Sequence, residues 1–229
     1  MNNNILWLVL LVINFTGIII SYRIFKKTGL YIWIAMAAII ANIQVMKTIE
    51  VLGFVTTLGN IIYGTSYLAT DILNEKYGRK EAQKGVYIGI FILIIVTVIM
   101  QVCLLFTPYA EDIAQGAFET IFGFLPRVAF ASIIAYTVSQ LYDVWVFDKL
   151  KQKNPEQLWV RNNLSTLVSQ LIDNILFTFL AFWGVLPFEI VIQIFVTSYV
   201  MKFIVAVLDT PFIYLAKRFH GDENKCETV

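Results

Sequence analysis

Seven stretches of about 20 mainly apolar residues run through this 229-residue chain, and they constrain its fold more than any other feature. A helix needs about 20 apolar residues to cross the roughly 30 Å hydrocarbon core of a bilayer. Charged residues make up only 14% of the chain, below the roughly 25% of a soluble domain. We therefore predict an all-α polytopic membrane protein with one membrane-embedded domain. The predicted spans are about 5–22, 30–51, 54–73, 85–107, 124–147, 163–184 and 189–216, followed by a cytoplasmic tail at 217–229.

The positions of the basic residues predict how this bundle is oriented. With the N-terminus outside and seven crossings, 14 of the 17 Lys and Arg residues fall in cytoplasmic segments and none falls in an outer loop. Cytoplasmic loops of membrane proteins are enriched in Lys and Arg. A model with six spans would place one basic block on the wrong face. We therefore predict a bundle of about seven transmembrane helices with its C-terminus in the cytoplasm.

Composition and missing motifs exclude several classes of function. A net charge of +1 provides no field to attract nucleic acid, and two cysteines and one histidine are too few for a disulfide framework or a histidine-rich metal site. The chain has no H-E-x-x-H, G-x-S-x-G, Walker A or G-x-G-x-x-G motif. We therefore predict that the protein is not an enzyme and has no cofactor, no metal and no nucleic-acid partner.

The predicted outer loop at 108–123 has apolar residues at helical spacing, with acidic residues on the opposite side. This pattern is typical of a short helix lying on the outer membrane interface. A plain loop is the alternative.

Eight ionisable residues fall within or at the edge of the predicted spans. Each costs roughly 2.5–3.5 kcal/mol near a helix centre, so the set would cost on the order of 20 kcal/mol if it faced lipid. These side chains must therefore face one another or a wet cavity, either as a substrate path or as pairs that hold helices together, such as Lys47–Glu50 and Asp173–Lys202. The eight are Lys47, Glu50, Asp71, Arg127, Asp143, Asp173, Lys202 and Asp209.

Three predicted spans carry polar or small residues along one helical face. Small residues on such a face commonly allow close packing, whereas buried amides and carboxylates need partners. The stripes are Gly53, Thr57, Asn60, Gly64, Tyr67 and Asp71 in the third span, Ser132, Tyr136, Ser139 and Asp143 in the fifth, and Asn162, Thr166, Ser169 and Asp173 in the sixth.

A short pattern repeats in the fifth and sixth spans, as V-S-Q-L-Y-D at 138–143 and V-S-Q-L-I-D at 168–173. Consecutive helices run antiparallel, so the two amide–carboxylate pairs enter from opposite sides and can converge near one depth. Transporters often build binding sites from inverted elements. A chance match within the restricted alphabet of membrane helices is the alternative.

Polar groups among aromatic side chains suit capture of a flat, polar ligand. A guanine-type edge offers N–H donors to Asp or Glu, and Asn or Gln can bind its carbonyl. The same residues would suit many other small molecules, so this composition does not identify a substrate.

Several stretches resemble the bacterial queuosine precursor transporter family, also called the vitamin uptake transporter family. The most specific is T-D-I-L-N-E-K-Y-G-R-K-E-A at 70–82, and supporting stretches lie at 127–143, 158–166, 169–173 and 202–214. The resemblance covers roughly residues 40–216. The resemblance implies a multi-pass protein of the bacterial inner (plasma) membrane. It also implies import of 7-deazaguanine bases such as preQ0, preQ1 or queuine for salvage into tRNA queuosine.

The polar residues within the predicted spans provide three sets of candidate residues. We expect the bound base to contact Asn60, Tyr136, Gln140, Asp143, Gln170 and Asp173. The outer entrance would be formed by Lys47, Glu50 and Arg127. Gating or coupling would involve Asp71, Lys202 and Asp209, the last beside Pro211, which marks either a gate or a static kink.

Transport would be driven by a gradient or would be facilitated diffusion. The expected partners are the substrate and the lipid bilayer, and a homo-oligomer is an open alternative. The first alternative is a substrate-capture subunit that needs a separate ATPase module, with Ala37, Ala38 and Ala41 as its docking face. A membrane enzyme acting on a lipid or nucleobase and a purely structural bundle are the others.

Overall fold

A computed structural model describes residues 2–123, 125–153, 156–185 and 187–218; residues 219–229 of the predicted tail lie outside it. The described chain is almost entirely helical, with one small β-hairpin. The elements are α1 (Asn3–Gln44), β1 (Thr48–Val51), β2 (Phe54–Thr57), α2 (Asn60–Tyr77), α3 (Arg79–Cys103), α4 (Gln115–Phe118), a π-helical turn (Glu119–Gly123), α5 (Leu125–Lys153), α6 (Leu158–Phe182) and α7 (Phe188–Arg218).

The helices expose apolar side chains and bury polar ones, as expected of a protein whose solvent is lipid. Exposed positions include Ile13 of α1, Phe91 of α3 and Phe203 of α7, whereas Asp71 and Asp143 are completely buried. Five helices, α1, α3, α5, α6 and α7, are long and apolar enough to cross a membrane. The protein is thus an all-α membrane protein; the number of crossings and the orientation of the termini stay predictions.

Helix α1 reverses direction at Lys26, whose backbone adopts φ 53° and ψ −135°. The hydroxyl of Ser21 donates a hydrogen bond to the backbone oxygen of Gly29 at 3.0 Å, and the ring of Trp33 lies against Gly17. These contacts place the two halves of α1 side by side. A side chain at position 29 would come within 2.2 Å of the Ser21 carbonyl oxygen, so glycine is required there.

The chain between α1 and α2 folds as a β-hairpin, where the second and third predicted spans were expected to be helical. Thr48 pairs with Thr57 and Val51 with Phe54. The two-residue turn has positive φ at Leu52 (54°) and at Gly53 (79°). Positive φ at both positions is the geometry of a type I′ hairpin turn, and β-branched residues favour strands. The polar stripe of α2 therefore starts at Asn60 and does not include the hairpin residues.

Helix α2 lies at the centre of the bundle, in contact with α1, α3, α5 and α7. It is buried from Asn60 to Asn74 on nearly all sides, which explains why it is more polar than a lipid-facing helix.

Helix α7 continues through Pro211 to Arg218. Residues 115–123 are helical, which favours the short helix over the plain loop for 108–123; its location on the outer interface stays a prediction.

Candidate functional site

A cavity with mainly apolar walls and several polar side chains opens between the second half of α1, the hairpin and helices α2, α3, α5, α6 and α7. Its empty space is about 700 Å³, a volume that includes open solvent at its mouth. Its lining includes Thr57, the last residue of β2, and Val45 and Gly59, which flank the hairpin in the sequence. Its polar lining consists of Asn42, Thr57, Asn60, Tyr63, Ser132, Tyr136, Asp173, Asn174, Ser198 and Lys202.

Asp173 of α6 is the most highly bonded group of this cavity. Its Oδ2 accepts a hydrogen bond from Lys202 Nζ at 2.6 Å, and its Oδ1 accepts from the hydroxyl of Tyr63 at 2.5 Å and from Ser139 Oγ at 3.3 Å. Lys202 Nζ also lies 5.1 Å from the centre of the Tyr63 ring. The predicted Asp173–Lys202 pair therefore exists, and it lies in the cavity wall.

Aromatic rings form a second part of the wall. The rings of Tyr63 and Tyr136 meet edge to face at 6.1 Å, and those of Phe177 and Phe182 meet in the same way at 5.9 Å. Gly89 of α3 makes room for Tyr136, because a side chain at that position would come within 2.5 Å of the tyrosine oxygen. The cavity thus offers flat surfaces beside its polar groups.

Two amide oxygens of the lining have no hydrogen-bond donor among the described residues. They are Oδ1 of Asn42 and Oδ1 of Asn174. Each side chain is held by its amide nitrogen, which donates to Ala38 O at 2.8 Å and to Phe195 O at 2.7 Å, respectively. Both carbonyls are therefore oriented acceptors, and a buried acceptor favours a ligand that carries a donor.

Sequence reasoning singled out neither asparagine. Asn174 follows Asp173 directly, and Asn42 is an amide within an apolar segment, so the unusual polarity of these positions was the available signal. Asn60, Tyr136 and Asp173, by contrast, were predicted to bind substrate, and all three line the cavity. Asn60 donates to Thr56 Oγ1 at 2.8 Å.

The other three predicted binding residues lie outside the cavity lining. Gln140 is buried between Thr70 and Ser66, with hydrogen bonds of 3.2 Å to each. Gln170 is fully buried, and neither of its amide atoms has a partner among the described residues. Asp143 accepts from Ser169 Oγ at 2.8 Å. The repeated pattern of α5 and α6 therefore brings only one of its four amide and carboxylate residues, Asp173, to the cavity.

The polar stripes of α2, α5 and α6 meet below the cavity around three buried carboxyl groups. Asp71 accepts from Thr166 Oγ1 at 3.2 Å, and Asp209 accepts from Asn162 Nδ2 at 2.7 Å. We call Asp71, Asp143 and Asp209 the acid cluster. Asp71 is 11 residues from Asn60, or about 16 Å along the helix at 1.5 Å per residue. Lys202 is not part of this cluster.

The three predicted entrance residues are exposed, but none of them lines the cavity. Lys47 and Glu50 form no salt bridge with each other among the described pairs. Lys47 accepts a backbone hydrogen bond from Leu58 at 2.9 Å, close to the rim. Arg127 binds the last carbonyls of α6, with hydrogen bonds of 2.9 Å to Leu180 O and 2.5 Å to Trp183 O. Such a cation neutralises the carbonyl end of a helix.

A charged cluster closes the opposite end of α2. Glu75 contacts Arg161 at 2.6 Å, Lys217 at 3.1 Å and Lys151 at 3.6 Å, which joins α2, α5, α6 and α7. Burial raises the pKa of Glu75, but the hydrogen bond from Lys217 and the charges of Lys151 and Arg161 outweigh it, so this pKa lies below its ordinary value. Sequence reasoning missed this cluster, which we call the Glu75 cluster.

Comparisons with known proteins show which family the chain belongs to. A family model described as "Putative vitamin uptake transporter" matches residues 57–216, from the second strand of the hairpin to the end of α7. A Bacillus subtilis protein named "Probable queuosine precursor transporter" is 46% identical over 227 residues, which cover 98% of this chain and 99% of the relative. The Escherichia coli "Queuosine precursor transporter" is 26% identical over 168 residues, 70% of this chain and 74% of its own.

A third relative, from Haemophilus influenzae and also named "Probable queuosine precursor transporter", is 30% identical over 133 residues, 57% of this chain and 53% of its own. No solved structure matches the chain. The family consists of transporters rather than enzymes. The chain is therefore a member of the vitamin uptake transporter family, a multi-pass transporter of the bacterial inner (plasma) membrane.

Proposed function

We propose that this protein imports queuosine precursors and binds their 7-deazaguanine base in the cavity around Asp173. The names of the three relatives support this substrate class. The observation that carries the proposal is the pair of oriented amide oxygens, Asn42 Oδ1 and Asn174 Oδ1, which have no donor among the described residues and lie in the wall of the same cavity as the Asp173 carboxylate.

A 7-deazaguanine base matches this arrangement of acceptors. The guanine-type edge presents ring and exocyclic N–H donors side by side, and a carboxylate with neighbouring amide oxygens can accept them. The hydroxyl of Ser132 can donate to the carbonyl of the base, and the rings of Tyr63 and Phe177 can cover its faces. A site with buried acceptors discriminates against analogues that lack the donors, because these acceptors would then stay unpaired.

The bound base would meet a carboxylate that is already oriented. Asp173 is held by Lys202 and Tyr63 before the ligand arrives. Both can keep their hydrogen bonds while an N–H of the base binds a remaining lone pair of the carboxylate, which has about four acceptor positions. Orientation of this kind lowers the entropic cost of binding.

We further propose seven crossings, counting the two halves of α1 and the central α2 with the four other long helices. With the N-terminus outside, the hairpin and the mouth of the cavity face outward, and the Glu75 cluster closes the cytoplasmic end. The structure would then represent an outward-open state. Import requires the reverse arrangement, in which the hairpin side closes and the Glu75 cluster opens.

Uptake of labelled preQ0 into liposomes that contain only the purified protein tests this function. We expect saturable uptake that preQ1 or queuine inhibits and that adenine, which lacks the guanine-type edge, does not. Asp173→Asn should abolish uptake while the protein remains folded in detergent, and Asp148→Asn, on α5 away from the cavity, serves as the matched control. Normal uptake by Asp173→Asn would contradict the proposal that the base binds in this cavity.

The alternative of a substrate-capture subunit with a separate ATPase gains no support from the family or the relatives. Ala37, Ala38 and Ala41 are buried, so they form no exposed docking face. Uptake by the purified protein alone would exclude it.

A further inference from the structure

The acid cluster is the strongest feature that substrate binding does not explain. Asp71, Asp143 and Asp209 are buried to at least 99%, and they come from three different helices, α2, α5 and α7. Within the described ranges, no salt bridge joins any of them to a basic side chain. Three unpaired negative charges in hydrocarbon would be prohibitively costly, so part of this cluster must carry protons.

The positions of Asp71 and Asp143 indicate where one proton lies. Asp71 Oδ2 accepts from Thr166 and Asp143 Oδ1 accepts from Ser169, so both carboxyl groups bind residues one turn apart on α6. The second oxygen of each group, Asp71 Oδ1 or Asp143 Oδ2, is buried and has no donor among the described residues. A proton on one of these carboxyl groups would supply a donor, as in other buried carboxyl pairs.

The side chain of Asn162 is a further buried group whose oxygen lacks a hydrogen-bond donor. Its side chain is fully buried, and its amide nitrogen donates to Asp209 Oδ1 at 2.7 Å. Its carbonyl oxygen, like Asp209 Oδ2, has no donor in the described part of the chain. A protonated carboxyl group would supply such a donor. Both the unpaired oxygens of Asp71 and Asp143 and the Asn162 amide therefore fit a cluster that holds protons.

The surroundings of the pair come from several helices. Tyr67 of α2 lies within electrostatic range of Asp143, and Asp209 of α7 lies near both carboxyls of the pair. Among the described residues, α1 and α3 contribute no hydrogen bond or salt bridge to the pair. The cation closest to the cavity, Lys202, binds Asp173, and Arg161 binds Glu75.

A short hydrogen-bonded path connects the cavity with this region. Tyr67 donates to Ser139 Oγ at 2.8 Å, and Ser139 donates to Asp173 Oδ1 at 3.3 Å. Tyr67 is thus hydrogen-bonded through Ser139 to the Asp173 carboxylate, and it lies within electrostatic range of Asp143. A change in the hydrogen bonds of Asp173 when substrate binds can therefore affect the Asp71–Asp143 pair through Ser139 and Tyr67.

We propose that the Asp71–Asp143 pair carries the coupling proton of this transporter, so that substrate enters together with a proton. This proposal rests on the proposed import function. In the outward-open state the pair holds one proton taken from outside. When the cytoplasmic end opens, water reaches the pair and the proton leaves to the cytoplasm, while the base is released unchanged. Each cycle moves one proton and one base inward, and no other reactant is needed.

A sodium ion is the competing occupant, because carboxylates and an amide oxygen also suit it. We favour the proton, because one proton removes a buried charge and turns one carboxyl group into a donor for its neighbour. Transport in sodium-free buffer separates the two.

The test uses the full-length protein in liposomes of phosphatidylethanolamine and phosphatidylglycerol, with a pH-sensitive dye inside. Labelled preQ0 is first exchanged against internal unlabelled preQ0 without any gradient, which measures transport alone. A pH gradient, acid outside, is then imposed in sodium-free buffer. We expect preQ0 accumulation and internal acidification that depends on preQ0. One proton per base and one pH unit allow about tenfold accumulation at most, because 1.4 kcal/mol corresponds to a factor of ten.

The variant Asp71→Asn should keep exchange but lose both accumulation and the dye response, and Asp148→Asn should behave as the wild type. Exchange without accumulation or acidification in the wild type would overturn proton coupling and leave the import function standing. Accumulation driven by sodium instead would assign the cluster to that ion. Absence of exchange would overturn the import function, and the coupling proposal with it. If Asp71→Asn does not fold, the wild-type measurements alone decide.

Discussion

Lys202 of α7 and Asp173 of α6 form a salt bridge of 2.6 Å inside the cavity, with both side chains almost fully buried. A buried ion pair that loses one partner leaves an uncompensated charge, at a cost of about 3–5 kcal/mol. The same pair orients the carboxylate that we expect to bind the base. Substrate binding and the stability of the fold therefore both depend on this contact.

Lys202→Met should destabilise the protein by about 3 kcal/mol, because Asp173 would remain charged and buried without its cation. The double variant Lys202→Met with Asp173→Asn should recover most of this loss, since neither charge remains. Thermal unfolding in detergent measures both. Equal destabilisation of the single and the double variant would show that packing, rather than charge, determines the effect.

Tyr63→Phe should weaken preQ0 binding without preventing folding. The hydroxyl donates to the Asp173 carboxylate at 2.5 Å, and a hydrogen bond to a charged group contributes about 1.5–3 kcal/mol. We expect binding, measured by thermal shift or calorimetry, to weaken by about tenfold or more. Tyr87→Phe, at an exposed position of α3, is the matched control and should bind normally.

Asn42→Leu should weaken substrate binding but leave stability nearly unchanged. The substitution keeps the approximate shape and removes a carbonyl oxygen that has no donor among the described residues, so little is lost in the empty protein. Titration of purified protein with preQ0 gives the affinity, and thermal unfolding without ligand gives the stability. Unaltered affinity would show that this oxygen does not contact the base.

Glu75→Gln should destabilise the protein at neutral pH, because it removes the negative charge shared by Arg161, Lys151 and Lys217. The pKa of Glu75 is lowered in the folded protein, so its contribution is present above the ordinary glutamate pKa and is lost as the pH falls through the folded value. The difference in melting temperature between wild type and variant should therefore shrink in strongly acidic buffer. A difference that grows with acid would contradict the assignment.

Gly29→Ala should disrupt the reversal of α1. The new methyl group would lie within 2.2 Å of the Ser21 carbonyl oxygen, and overpacking of this kind typically costs about 1–3 kcal/mol. Gly116→Ala meets no atom within 4 Å and provides the control. Melting temperatures of the two variants in detergent make the comparison.

Helical spacing predicted which polar residues share one face of a helix. The stripes of α5 and α6 do face each other, as the contact between Asp143 and Ser169 shows. Which members of a stripe reach the cavity depends on how helices cross, and spacing along one helix does not contain that information. Asp173 reaches the cavity, but Gln140 and Gln170 do not.

The hairpin and the Glu75 cluster could not be predicted for a related reason. Residues 48–57 are apolar and β-branched, a pattern that a buried strand shares with a membrane helix, so the local signal was the turn at Gly53. The partners of Glu75 lie 76–142 residues further along the chain, on three other helices. Their convergence results from the packing of the whole bundle.

The amino-terminal residues of α1 are tied to the hairpin, where Asn3 Nδ2 donates to Glu50 O at 3.1 Å and Leu52 N donates to Asn4 Oδ1 at 2.9 Å. A purification tag or fluorescent protein fused ahead of Asn3 would therefore sit beside the strands that border the cavity mouth. Such a fusion would interfere with access to the cavity. Assays of this transporter should carry their fusion partner at the other terminus.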